Sequence, residues 1–293
     1  MQAMLLAAGF GTRLRPYTLL RPKPLFPVLN RPLLHILLDM LLAAGCRRIV
    51  VNCHYLADQI RKAATSWPVI LQEEQTILGT GGSLRQALDS FESGPILVMN
   101  GDICHNIDLH ALYVAHAGQD AGVTMAVHRH PRFNTLRIRH GRIVGFGSRP
   151  QADGWAYTGV QVVDPEIIRL IPPGEYFHII DLYRHLATEG RIAAWPVADC
   201  FWHDIGTPDD YRELHRELLQ APRFSWQPVV TGPEQWCIHA RAQISPESRL
   251  TGWGVVGAGA RLVGNVRLHD CVVWDGALLQ GQSHRSAIIA GNG

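Results

Sequence analysis

Short apolar runs alternate with helical repeats along the first hundred residues, and this alternation constrains the fold more than any other feature of the chain. Residues 4–7, 49–51, 69–71 and 96–99 are apolar runs of strand length, each of which predicts a buried strand. Between the first two, Leu33, Leu34, Leu37, Leu38, Leu41 and Leu42 recur at spacings of three and four, behind Pro32 at a first-turn position and ahead of Gly45 as a C-terminal cap. Leu84, Leu88 and Phe91 recur likewise after Gly81-Gly82-Ser83. Strands and helices in this order predict crossover units and an α/β fold with a mainly parallel sheet covered on both faces. In such sheets a ligand binds beyond the strand C-termini.

From about residue 122 to 163 the helical signal gives way to short β-like pieces, with 135–139 and 142–146 joined at His140-Gly141 as a hairpin. Helical signals return at 179–186 and after Thr207, a capping residue, with Pro208 in the first turn. The main domain is expected to end near Arg223. Residues 226–293 then hold 10 of the 28 glycines, with an aliphatic residue about every sixth position, as in Val256-Gly257-Ala258-Gly259-Ala260-Arg261-Leu262. That period predicts a parallel β-helix, with an irregular glycine-rich tail as the competing reading.

Composition narrows the chemistry. The 27 basic and 25 acidic residues nearly balance, which argues against a nucleic-acid-coating or polybasic membrane protein. The longest apolar stretch, 33–44, contains His35 and Asp39 and is far short of the roughly 20 residues of a membrane helix. The N-terminus lacks the basic start and cleavage site of a leader, so a cytoplasmic location is expected. Six scattered cysteines, with no Cys-x-x-Cys pair, predict free and mostly buried thiols. The 15 histidines show no metal-ligand spacing and are expected to be mostly solvated. Trp253 and Trp274, in the tail, are expected at an interface between copies.

Two segments carry the chemistry. Gly9 and Gly11, in Leu6-Ala7-Ala8-Gly9-Phe10-Gly11-Thr12-Arg13-Leu14, allow a tight turn whose amides form an anion-binding nest. The third glycine of a dinucleotide fingerprint is replaced by Leu14, and no Gly-Lys-Ser/Thr of a P-loop occurs. The second segment is Arg21-Pro22-Lys23-Pro24-Leu25-Phe26-Pro27-Val28. Its prolines are expected to prevent a helix and to hold Lys23 in a defined direction. Lys23 and Lys62 are the only lysines among the 27 basic residues, and a compact ammonium in a rigid loop suits a phosphoryl oxygen, while Arg13 offers a planar fork.

Together these two motifs resemble the signature of the sugar-1-phosphate nucleotidyltransferases, the NDP-sugar pyrophosphorylases. Leu78-Gly79-Thr80-Gly81-Gly82-Ser83-Leu84 is similar to the family's base and ribose loop, Asn100-Gly101-Asp102 to its first metal site, and Trp202-His203-Asp204-Ile205-Gly206-Thr207-Pro208 to its second. The resemblance implies a Rossmann-like nucleotidyltransferase domain over residues 1–225 and a short left-handed parallel β-helix of hexapeptide repeats over 226–293. It also implies transfer from a nucleoside triphosphate to a sugar 1-phosphate, with Mg²⁺ as cofactor and release of pyrophosphate. By carry-over, Arg13, Lys23 and Asp102 are catalytic, and Asp102 and Asp204 hold the metal. Leu6, Ala8, Gly9, Gly11, Thr12, Glu73, Gly79, Thr80, Gly81 and Asn100 hold the nucleotide. The family's Glu-Lys-Pro is replaced by Ser148-Arg149-Pro150, so Arg149, with Thr158 and Gly159, is assigned to the sugar phosphate. Glu73-Glu74 and the glycine run resemble guanylyltransferases acting on mannose or heptose 1-phosphate, which favours GTP. A uridylyltransferase acting on an amino-sugar or glucose 1-phosphate is the alternative, and a non-catalytic regulatory subunit or an acyltransferase activity of the tail are further ones. A homo-oligomer built through the tail is expected, with no nucleic acid or membrane partner.

Overall fold

The computed structural model describes residues 1–228 and 235–291, so part of the expected tail, 229–234 and 292–293, lies outside the described residues. The chain forms two compact units, Met1–Phe10 with His35–Trp202, and Gly11–Leu34 with the residues from His203 onward.

The first unit is built on a nine-stranded sheet, in the order Val69–Glu73, Arg48–Cys53, Gln2–Leu6, Ile96–Asn100, Ala156–Val163, Val123–His128, Ile192–Pro196, Arg142–Phe146, Leu136–Arg139. The first four strands are mutually parallel, as are Val123–His128 and Ile192–Pro196. Ala156–Val163 runs antiparallel between the two groups. The sheet is therefore mixed but mainly parallel. All six residues of Val123–His128 are buried, as expected of a strand covered on both faces. The run at 69–71 is a strand but not a buried one: it forms the edge, and Ile70 is 40% exposed because no strand lies beyond it.

From Gln2–Leu6 the chain moves outward on one side to Arg48–Cys53 and Val69–Glu73, then returns to the other side at Ile96–Asn100. Leu6 and Asn100 lie opposite each other at the carboxyl ends of adjacent strands. This is the topological switch point, where ligands bind in sheets of this kind. The leucine repeat forms the helix Leu33–Ala43, closed by Gly45 at φ 91° with its amide on Leu42 O at 3.0 Å and that of Cys46 on Leu41 O at 3.0 Å. His140 and Gly141, at φ 48° and 72°, make the hairpin turn expected of them.

In the second unit Pro27–Val28 and Arg31–Pro32 form a two-stranded hairpin around Leu29 and Asn30, at φ 45° and 71°. The helix Pro208–Gln220 is capped by Thr207, whose Oγ1 accepts from Asp210 N at 3.1 Å. The glycine-rich segment is regular. Gln235–Ile238, Arg249–Val256, Arg267–Val273 and Ser283–Arg285 form one parallel sheet, and Gln243–Ile244, Arg261–Val263 and Leu278–Gln280 another. Gln243 sits opposite Arg261 and Arg261 opposite Leu278, so a coil consumes 17 or 18 residues, three of the six-residue spans. Val256, Leu262, Val266, Leu268, Val273 and Leu279 fill the coil interior.

One expectation is corrected here. Trp274 is 2% exposed and packs inside its own unit against Phe26, so it does not face another copy. Of the 15 histidines eleven keep some exposure, but His105, His116, His128 and His215 are buried, which composition did not indicate. All six cysteines are free, and five are buried. Among the described residues no helix is long and apolar enough to cross a membrane.

Candidate active site

In the first unit the site is assembled at the switch point by a run of hydrogen bonds across three strand ends. Ala7 N donates to Asn52 Oδ1 at 2.7 Å, Asn52 Nδ2 to Glu74 Oε1 at 2.7 Å, and Leu78 N to Glu74 Oε2 at 3.2 Å. The buried pair Asn52 and Glu74 thus ties the loop after the first strand to the start of the helix Gly79–Ala87. Sequence reasoning missed Asn52 and, of the Glu73-Glu74 pair, assigned Glu73 to the nucleotide; Glu73 stands on the exposed edge paired with Arg61. The signal lay in Asn52, a polar residue near the end of an otherwise apolar strand.

Gly101 N donates to Leu6 O at 2.8 Å, and a Cβ there would sit 2.6 Å from that oxygen. Only glycine lets the turn carrying Asn100 and Asp102 lie against the first strand. Ala8 is buried, whereas Gly9 is exposed with open space around its Cα.

Gly79, Thr80 and Gly81 form the first turn of a helix, not the loop expected of them. The amides of Gly81 and Gly82 donate to Phe177 O at 2.9 and 3.3 Å, and Ile179 N donates to Thr80 Oγ1 at 3.3 Å. A Cβ on Gly81 would meet the Phe177 ring at 2.7 Å. Close approach of the chain around Phe177 is thus a sufficient packing reason for this run of glycines.

On the sugar side, Thr158 is fully buried, with its hydroxyl donating to Ala126 O at 2.9 Å and accepting from Val160 N at 3.3 Å. It fills the strand irregularity between Tyr157 and Gln161. Gly159, at φ 80°, passes so close to Asn100 that a Cβ would lie 3.0 Å from its Nδ2. Arg149 is exposed. Beside these lies an aromatic cluster that sequence reasoning did not find. The Trp202 ring is tilted against His128 at 4.8 Å and edge-on to His130 at 5.3 Å, and its Nε1 donates to Thr158 O at 2.8 Å. Burial, and then the His130 ring, push the His128 pKa down to about 4, so it stands as neutral imidazole.

In the second unit the chemistry gathers on Asp204. Lys23 Nζ lies 3.3 Å from Asp204 Oδ1, and the largely exposed Arg13 reaches Oδ2 at 3.8 Å. Lys23 is 7% exposed. Its prolines do not prevent a helix altogether: Lys23–Leu25 is one 3-10 turn, with Pro24 in its first turn, where no amide is needed. Gly11, at φ 60°, accepts from Leu14 N at 2.9 Å and Thr18 Oγ1 at 3.1 Å, which sets the short turn Thr12–Leu14 that presents Arg13. Gly206 is a second residue that the motif contained but the site assignment omitted. A Cβ there would stand 2.8 Å from Asp204 Oδ2 and 3.0 Å from Arg13. His203, next to Asp204, is engaged by Glu217 at 3.0 Å.

Comparison with known proteins places this arrangement. The nucleotidyl transferase family profile matches residues 2–221. The mannose-1-phosphate guanylyltransferase of Mycobacterium tuberculosis is 29% identical, over 95% of this chain and 81% of its own. The N-acetylmuramate alpha-1-phosphate uridylyltransferase of Caulobacter vibrioides is 32% identical, over 75% of this chain and 97% of its own. Among solved structures, HddC from Yersinia pseudotuberculosis shares the fold at a TM-score of 0.64 and 24% identity, over 74% of this chain and 99% of its own. With a family profile matching over most of its length, the chain belongs to the nucleotidyl transferase family.

Proposed function

We propose that the protein transfers a nucleotidyl group from a nucleoside triphosphate to a sugar 1-phosphate. A sugar-phosphate oxygen attacks the α-phosphorus, the new P–O bond forms as the bond to the β-phosphate bridging oxygen breaks, and pyrophosphate leaves. The observation that carries this reading is the buried ammonium of Lys23 beside Arg13 on a shared carboxylate. Two anions must meet in such a transfer, and positioning with charge neutralisation supplies most of its catalysis. Lys23 is a preorganised point charge for the triphosphate and the departing pyrophosphate, and Arg13 a fork for the same oxygens.

Mg²⁺ belongs to the same reading, with Asp102 and Asp204 as its carboxylates. Carboxylate oxygens are the donors this cation takes, and among the described residues no group of three or more His, Cys, Asp or Glu converges, so phosphate oxygens and water would supply the rest. When bound, the cation neutralises charge on the phosphates. The residues' own part is to orient: Gly101 sets the Asp102 turn, and Lys23 and Arg13 hold Asp204.

We favour GTP and a mannose-1-phosphate-like acceptor, supported by the guanylyltransferase from M. tuberculosis that matches along most of the chain. A uridylyltransferase acting on an amino-sugar phosphate is the second reading, supported by the C. vibrioides relative. A left-handed coil in the tail, supported by its six-residue period, assembly of copies through that tail and a cytoplasmic site of action complete the proposal. Purified protein with Mg²⁺ is incubated with each of four triphosphates against mannose, heptose, glucose and N-acetylamino-sugar 1-phosphates, and pyrophosphate release is followed. Turnover with GTP and mannose 1-phosphate is expected; preference for UTP selects the second reading, and no NDP-sugar from any pair overturns both.

A further inference from the structure

Inside the second unit, the segment carrying Lys23 is gripped by side chains that follow it by some two hundred residues. Pro27 O accepts from the Tyr211 hydroxyl and lies 3.1 Å from His215 Nε2. Tyr211 Oη accepts in turn from Trp274 Nε1 at 3.2 Å. Phe26 stands edge-on to Tyr211 and Trp274, with ring centroids 5.5 and 4.8 Å away. On the other flank Arg21 pairs with Asp275 through both nitrogens, at 2.8 and 2.9 Å, and its guanidinium lies 4.9 Å over the Trp274 ring. Two consecutive residues of one solenoid coil therefore touch both flanks of the 3-10 turn, at Arg21, two residues before Lys23, and at Phe26, directly after Leu25.

A lysine side chain is a point charge on a flexible four-carbon stem, so its place in a reaction is set by where its backbone is held. A displacement of about 1 Å in a transfer reaction can cost roughly 100-fold in rate. We propose that Trp274 and Asp275 of the solenoid are positioning residues for Lys23, clamping both flanks of its turn so that the ammonium stays on Asp204. On this proposal the tail is a working part of the catalytic apparatus. It rests on the reading of Lys23 as the group that meets the phosphates.

The lysine count supplies a test that needs no turnover. Lys62 is exposed and Lys23 is buried, so acylation of the full chain with an amine reagent, read by peptide mass spectrometry, compares one protected and one open lysine. In the wild type Lys62 should react and Lys23 resist. In Trp274→Ala and Asp275→Asn, with circular dichroism confirming a folded chain, Lys23 should react about tenfold faster, while Arg267→Ala on the exposed side of the coil leaves it protected. Asp275 is exposed, so its variant decides the matter if Trp274→Ala does not fold. In turnover assays the same variants should lose kcat by about 10- to 100-fold with KM for the sugar phosphate unchanged, and Trp274→Phe should recover most of it. Unchanged protection of Lys23 in folded Asp275→Asn, or equal exposure in Arg267→Ala, overturns the proposal. A wild type with protected Lys23 but no activity on any substrate pair overturns the function and leaves the clamp standing.

Discussion

Lys23 is a charged side chain only 7% exposed, and its energetics are those of a buried ion pair. Such a pair contributes little net stability, but removing one partner strands the other charge. Asp204→Ala removes the carboxylate that Lys23 meets at 3.3 Å and should therefore destabilise the fold, by up to roughly 3–5 kcal/mol, read as a shift in the urea midpoint. Lys23→Met keeps the volume but leaves the Asp204 carboxylate to the more distant, largely exposed Arg13 at 3.8 Å, so the melting temperature should fall, while kcat falls by about 10²- to 10³-fold, the size of losing one preorganised electrostatic contact. Composition pointed to Lys23, because a lysine in an arginine-rich chain and a proline-rich loop is unusual. Gly206 was not legible in the same way, since its reason is the approach of Arg13 to Asp204 through space.

Among the elements, strand and helix positions followed the apolar periods closely, and the errors cluster where two elements meet. The Gly79–Gly82 run has the composition of a loop, but a helix can begin on glycines when another strand of backbone, here around Phe177, takes up their amides. Gly159 is a comparable case, at φ 80° inside a strand and against Asn100. Gly159→Ala combines a left-handed backbone with two close contacts, the nearer being Ile103 Cδ1 at 2.4 Å. It should cost about 1–3 kcal/mol in chemical denaturation and disturb Asn100. Thr207→Ala removes a cap whose hydroxyl accepts from Asp210 N, and should cost about 1 kcal/mol, visible as a lower melting temperature.

For the whole molecule, buried histidines set the response to acid. His105, His128 and His215 have their pKa lowered to about 4, in each case chiefly by burial, with His130 adding to the effect at His128 and two backbone hydrogen bonds opposing it at His215. Their folded values lie below the unfolded value of about 6.5, so the unfolded chain binds the proton first. The stability they contribute is present above pH 6.5 and is lost as pH falls from 6.5 towards 4. At pH 5 the loss is about 2 kcal/mol for each histidine. Urea unfolding at pH 7.5 and pH 5.0 should show it, and His215→Gln should flatten the difference by about one third.

What the chain determines by itself is local: the alternation of strand and helix, the capped leucine helix, the coil period of the tail, and the two glycine and proline motifs that mark the chemistry. These are legible because backbone geometry repeats at 2, 3.6 and six residues and punctuates at Gly and Pro. What only tertiary structure decided is which distant residues meet. It set Asn52 and Glu74 in the framework and Glu73 at the edge, and it buried Trp274 against the Lys23 segment. Hydrogen bonding and burial depend on neighbours far beyond one turn or one strand, 22 residues apart for Asn52 and Glu74 and over two hundred for Phe26 and Trp274, and a period along the chain carries no record of them.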